Sequence, residues 1–164
     1  MSFHPKHILV PVAIEPDEDF SLAEHSLMAA CDLALKFNSK ITMLHLAQSM
    51  IVGGGAGLDV SGTLYDSIVQ VLEQRLAHRK HKVEELQNLA KIKGLTVEGR
   101  VIDSLESTPE IICETAKVLK VDLIIIGSHG RRGLSKMLFG SVAEKVVQKA
   151  NQPVLVLHPL EEQA

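Results

Sequence analysis

Aromatic side chains are nearly missing from this sequence: 3% of 164 residues, with no tryptophan, one tyrosine and four phenylalanines. The core must therefore be aliphatic, and the stacking platforms on which single-stranded nucleic-acid binders hold bases are lacking. Cysteine is as scarce. Cys31 and Cys113 fall inside predicted helices, far apart in sequence and in no C-x-x-C motif. Disulfide frameworks are thereby excluded, and a reducing cytoplasm is the expected compartment. Neither sign of charge dominates. A formal net charge of -3 gives no global attraction for DNA, RNA or an acidic membrane, so anion binding has to be local. Long hydrophobic runs are missing too. The longest uncharged run, Ile41 to Leu58, holds His45, Gln48, Ser49 and four glycines, which excludes a membrane span there. The apolar start is short, is broken by Pro11 and runs into Glu15 and Asp17, unlike a signal peptide.

What is present reads as one soluble domain over residues 1–164, with 46% apolar and 23% charged residues. Apolar strands alternate with amphipathic helices. Ile8 to Val12, Ile41 to Leu46, Leu95 to Ile102, Val121 to Ile126 and Pro153 to Leu157 read as strands, the third the most polar and so nearest an edge. Phe20 to Phe37 reads as a helix with Leu22, Leu27, Ala30, Leu33 and Ala34 as its buried stripe. A long helix over Leu64 to Lys93 carries Leu64, Ile68, Leu72, Leu76, Val83, Leu86 and Leu89 at helical spacing, and Gly94 stops it. Pro109 to Leu119 is the third helix; Gly140-Ser141 opens the fourth. Such alternation predicts a parallel sheet covered on both faces, and right-handed crossovers make it doubly wound.

The most informative stretch is the link from the fourth strand to the fourth helix. Gly127 ends the strand, Gly130, Arg131, Arg132, Gly133 and Lys136 follow, and Gly140-Ser141 begins the helix. Glycines let several backbone N–H groups approach one ligand, and a helix start adds unpaired donors and a positive dipole end. Ser141 either caps the helix or turns its hydroxyl to a phosphate oxygen. Arg131 and Arg132 either screen a terminal phosphate or point to solvent. The fitting guest is a phosphate chain. Neither a dinucleotide G-x-G-x-x-G nor a Walker motif is present.

The spacing Gly127-x2-Gly130-x9-Gly140-Ser141 resembles the nucleotide-binding signature of the universal stress protein family, and the resemblance covers nearly the whole chain around a divergent middle. It implies a Rossmann-like, adenine nucleotide alpha hydrolase-like sheet of order 3-2-1-4-5, with the switch point between strands one and four. It also implies an adenine nucleotide, ATP with Mg²⁺ bridging its phosphates, and a homodimer through the exposed edge of Pro153 to Leu157. By the same resemblance Val12 and Ala13 lie at the nucleotide, and Ile41, at the start of strand two, lies against adenine, though by its residue type alone it reads equally as an ordinary core isoleucine. The family's V-P-x-D-x-S start is altered: an ungapped match puts Ala13 where the ribose-holding aspartate stands, while Asp19 (in Asp19-Phe20-Ser21) or Asp17 serves only after an insertion. Pro16 to Ser21 reads in preference as a helix N-terminus with a capping residue and favourable acids. Thr108, before Pro109, reads as a further helix cap.

Other constellations are weaker. His78 and His81 lie on a helix among Arg79, Lys80 and Lys82 and read as a solvated face. Ser128-His129 has no G-x-S-x-G elbow, Asp103 and Glu106 have nothing to specify a substrate, and no S-G-G-x-D-S loop is present. No catalytic or metal-ligating set emerges. Three readings follow: a nucleotide-binding stress-response module, an interaction protein of the same fold that has lost ATP and acts on a protein partner, and a slow ATPase.

Overall fold

A computed structural model describes residues 3–14, 21–47, 62–104, 106–128 and 140–158. Within them strands and helices alternate: β1 (His7–Val12), α1 (Ser21–Phe37), β2 (Lys40–Ala47), α2 (Gly62–Ile92), β3 (Val97–Asp103), α3 (Thr108–Val118), β4 (Leu123–Gly127), α4 (Ser141–Lys149) and β5 (Val154–Leu157). The sheet has the order β3-β2-β1-β4-β5, and each neighbouring pair is parallel. This is the doubly wound arrangement the sequence predicts.

Two cores flank the sheet because strand side chains alternate between its faces. Ile8, Val10 and Val12 pack with Leu27, Ala30 and Cys31 of α1 and with Val83, Leu86 and Ala90 of α2. Leu9, Leu44, Ile124 and Ile126 pack on the other face with Ile112 and Ala116 of α3 and Ala143 and Val146 of α4. Each fully buried isoleucine or leucine contributes about 1.5–3 kcal/mol, so the two aliphatic layers do the work that aromatics do elsewhere. In α1 the buried stripe includes Ala23, Ser26 and Cys31, while Leu22 and Leu33 are only half-buried.

The long helix departs from its expected burial. At about 1.5 Å per residue α2 is roughly twice as long as β3 at about 3.3 Å per residue. Among its described side chains only Val83, Leu86 and Ala90 are buried; residues 70–77 are all exposed, Leu72 and Leu76 included. Helical spacing marks the face that points inward but cannot say where the sheet beneath it ends.

The two sheet edges differ. At β3, Glu98 pairs with Lys40 (2.9 Å) and Arg100 (2.6 Å), and Gln87 Nε2 donates to the Val97 carbonyl (2.7 Å). Charge and a side-chain bond thus blunt that edge. β5 instead carries the apolar run Val154 to Leu157.

Where the strands begin, a small polar network ties three elements together. One carboxylate oxygen of Asp122 accepts the backbone N–H groups of Lys6 (2.7 Å) and His7 (2.9 Å). His7 Nδ1 lies 3.2 Å from the Leu119 carbonyl, which can only accept, so this nitrogen carries the proton. Nε2 then accepts from the Thr42 hydroxyl at 2.8 Å. Burial holds the His7 pKa below its ordinary value, helped by the nearby Lys40 charge and opposed by the Leu119 bond, Glu98 and Asp122. The unfolded chain therefore binds the proton at higher pH than the folded one. The stabilisation is complete above the ordinary histidine pKa and is lost as pH falls below it. The melting temperature is expected to drop between pH 7.5 and 5.5, and His7→Gln is expected to flatten that part of the profile. Equal slopes in the two proteins would remove His7 as the cause.

Candidate functional site

Five parallel strands give the sheet a carboxyl end, and the neighbours of β1 change there from β2 to β4. Connections diverge at such a switch point and leave a crevice. Ile8 is level with Leu123 and Leu9 with Ile124; carrying the register forward puts Val12 level with Gly127. Val12 is buried, Ala13 just beyond it is exposed, and Ile14 is fully buried. An exposed methyl therefore stands at the end of β1.

The glycine-serine turn comes to the same place. Ser128 N–H donates to the Leu157 carbonyl at 2.7 Å, and Gly140 N–H donates to the Ser128 carbonyl at 2.5 Å. The two ends of the intervening segment are thus tied together, and Gly140-Ser141 lies beside Gly127-Ser128. Gly140 is the N-cap of α4, with φ -69° and ψ 153° and no side-chain cap bond. Its carbonyl accepts the first helical bond from Glu144 at 2.9 Å. Ser141 is consequently the first helical residue, exposed, and not the cap. Helix geometry leaves the N–H groups of Ser141, Val142 and Ala143 without an acceptor in the helix. They form the positive end of α4 and give an anion a place beside the switch point.

Gly127 has a second constraint that its sequence context does not reveal. A Cβ added there would lie 2.6 Å from both Cγ and Cδ2 of Leu22, so α1 packs directly on this glycine. His45 was equally silent in the sequence. It is 1% exposed near the carboxyl end of β2, level with Val12, and its Nδ1 is 3.2 Å from the Val12 carbonyl. The only local signal is one histidine interrupting the apolar run I-T-M-L-H-L.

The structure thus brings together Val12, Ala13, Gly127, Gly140 and Ser141. Ile41 does not join them. It is level with Ile8 and Val97 and buried at the opposite end of the sheet, about 13 Å along β2 from His45 at the strand rise of about 3.3 Å per residue. The β2 residues that reach the crevice end are His45, Leu46 and Ala47. Gly130, Arg131, Arg132 and Asp19 lie outside the described residues, as do Asp17, Gly133 and Lys136. At α3 the cap is Ser107, with Thr108 already helical. His81 pairs with Glu85 on the exposed face of α2 (3.1 Å). No cluster of three metal-ligating side chains occurs among the described residues, and no described helix is long and apolar enough to cross a membrane.

A doubly wound sheet with a helix N-terminus at its switch point defines an α/β fold of the nucleotide-binding type. The sequence pattern of the Universal stress protein family matches residues 4–158, and the chain belongs to that family. Universal stress protein MJ0577 of Methanocaldococcus jannaschii is 33% identical over 104 residues, 63% of this chain and 62% of its own. Its solved structure covers 98% of this chain and all of its own with a TM-score of 0.74 at 25% identity. Universal stress protein A homolog 2 of Coxiella burnetii is 29% identical over 93% of this chain and 94% of its own. A universal stress protein of Archaeoglobus fulgidus, solved in complex with dAMP, shares the fold with a TM-score of 0.62 at 23% identity, covering 91% of this chain and 94% of its own. A universal stress protein solved in complex with cAMP has a TM-score of 0.60 at 21% identity, covering 96% of this chain and 99% of its own.

Proposed function

We propose that this protein is a homodimeric, cytoplasmic stress-response module that binds an adenine nucleotide, ATP with Mg²⁺, at the carboxyl end of its sheet. The observation that carries the reading is the hydrogen bond from Gly140 N–H to the Ser128 carbonyl, which sets the N-terminus of α4 beside the end of β4. In this reading the phosphates sit on the N–H groups that open α4, with the Ser141 hydroxyl as a further donor. Gly127, Gly130 and Gly140 let the backbone approach, Arg131 and Arg132 screen the terminal phosphate, and Mg²⁺ bridges phosphate oxygens with mostly water ligands. Adenine contacts fall to Leu46 and Ala47 rather than Ile41. The dAMP and cAMP complexes of related folds support an adenine ligand of this class.

Titration calorimetry of nucleotide-stripped protein with Mg-ATP, ADP, AMP and cyclic AMP tests it. Micromolar binding of at least one is expected, weakened about five- to tenfold in Ser141→Ala if the hydroxyl contributes an ordinary hydrogen bond. No heat with any of them, on folded protein, would reject the reading.

Exposed Ala13 favours a second reading, a partner-binding module without nucleotide, since its methyl cannot hold ribose. Asp19 is the proposed substitute. Hydrolysis, if any, is slow, and phosphate release over hours measures it. Dimerisation is proposed through β5, where Leu155 is 37% exposed on a strand that has a partner on one edge only among the described residues. Sedimentation velocity at micromolar concentration is expected to give a dimer and Leu155→Lys a monomer. A monomeric parent would exclude this interface.

A further inference from the structure

All strands start at one pole of the sheet, and every helix packed on it ends there. That pole lies opposite the nucleotide crevice. Nine large apolar residues are conspicuously exposed among the described residues, and the four most exposed, Ile92 (83%), Val118 (67%), Leu35 (56%) and Phe3 (55%), all belong to it. Each of the three on helices is flanked by lysine. Leu35 is followed by Lys36 at the end of α1, Ile92 lies between Lys91 and Lys93 at the end of α2, and Val118 follows Lys117 at the end of α3, with Lys120 in the turn.

Contacts join the ends of α1 and α2 and the amino-terminal segment, and His7 links that segment to the end of α3 through the Leu119 carbonyl. Lys93 reaches Asp32 of α1 at 2.6 Å, Lys6 Nζ donates to the Phe37 carbonyl at 3.3 Å, and His4 meets the Phe37 ring edge-on. The acids of the pole are already engaged: Asp32 by Lys93, Glu98 by Lys40 and Arg100, Asp122 by two backbone N–H groups, and Glu114 by Lys117 at 3.9 Å. Lys6, Lys36, Lys91 and Lys120 make no ion pair among the described residues, so the pole is locally cationic although the chain's net charge is -3.

Lysines at helix ends complement the macrodipole, but that does not call for an exposed apolar neighbour at each of three ends. Nor does it explain Lys120. Three helices are followed by a residue with left-handed backbone: Asn38 (φ 53°), Gly94 (φ 77°) and Lys120 (φ 52°). Asparagine and glycine suit that conformation and lysine does not. A charge is kept where the backbone favours another residue.

We propose that this pole docks on anionic lipid membranes, the four apolar tips entering the headgroup layer and the lysines meeting lipid phosphates. The apolar residues stand singly on separate chain ends rather than lining a groove. A flat lipid surface engages such scattered tips together, whereas a protein partner calls for a contiguous desolvated patch. The surface contact involves no spanning helix and is independent of the nucleotide reading.

Co-sedimentation of the full chain with vesicles tests it. Binding is expected to phosphatidylcholine–phosphatidylglycerol vesicles and not to pure phosphatidylcholine, with loss at high salt. Lys36→Gln and Lys91→Gln are each expected to weaken it about fivefold, and Ile92→Ser to weaken it without changing the melting temperature. Lys120→Gly is the sharpest variant: weaker vesicle binding together with a melting temperature about 2 °C higher, as relief of left-handed strain provides. No binding of the folded parent to mixed vesicles overturns the proposal. So does binding indifferent to these substitutions, or capture by polyglutamate without capture by vesicles, which assigns the pole to an acidic protein.

Discussion

Ser141→Glu is expected to abolish nucleotide binding, weakening it at least about 100-fold, in a protein that melts no lower than its parent. Ser141 is the exposed first residue of α4, after an N-cap that offers no side chain. A carboxylate there stabilises the helix by about 0.3–1 kcal/mol, because it meets the same open N–H groups that a phosphate would. Those groups are then occupied, and the new charge faces the phosphates. At about 4 Å and an effective dielectric near 20, a like-charge pair costs about 4 kcal/mol before salt screening. Calorimetric titration and a thermal scan on one sample read both effects. Full affinity in Ser141→Glu would place the phosphates elsewhere; a collapsed melting temperature would show that the site residue is a folding residue. The pairing of lost ligand with kept stability is the signature of an anion site at this helix start.

The second large effect concerns Gly127. Gly127→Ala is expected to destabilise the domain by about 1–3 kcal/mol, the usual penalty for an extra carbon in a filled space. The new methyl would lie 2.6 Å from Leu22 Cγ as well as Cδ2, so rotating the end of that side chain does not clear the clash. Leu22→Ala opens the space. The two substitutions together are expected to cost at least about 1 kcal/mol less than the sum of their separate effects, since residues in contact couple by that order. Chemical denaturation of the four proteins completes the cycle. Nucleotide affinity, measured on the same four, separates two roles of this glycine. If only packing matters, affinity recovers with stability in the double variant. If phosphates approach Gly127, affinity stays low.

That pair of roles shows where the sequence speaks and where it is silent. The β-branched run of β4, the glycines around the turn and the helical spacing of α4 all follow from local chemistry, and the observed order β3-β2-β1-β4-β5 follows from alternation and the family resemblance. The polar character of β3 marked it as an edge, and Glu98 and Arg100 make it one. Local chemistry cannot say which strand ends are neighbours in space. Ile41 shows the limit: in the sequence it is one apolar strand residue among several, and only its register to Ile8 reveals that it lies at the amino end of the sheet, away from Gly127. The same limit hid Leu22 behind Gly127, and left the exposed half of α2 reading as core. Helical phase survives in the sequence; the length of the sheet beneath the helix does not. The cap at Gly140 rather than Ser141 is a smaller case, decided by one backbone hydrogen bond.

The order in which strands leave the ribosome gives the β1–β4 pairing one more meaning. β1 is the first strand made and the third in the sheet, paired with β2 on one edge and β4 on the other. Its partner on the first edge is complete by Ala47, but the second edge stays open until Leu123 has been translated, roughly 4–15 s later at usual elongation rates. Until then Leu9, fully buried in the finished domain, belongs to a strand whose remaining hydrogen-bonding edge has no partner. The crevice lies across that late seam. A nascent chain cannot assemble it before β4 and the start of α4 have been made, because Ala13 and Ser141 are brought to one place only by that pairing.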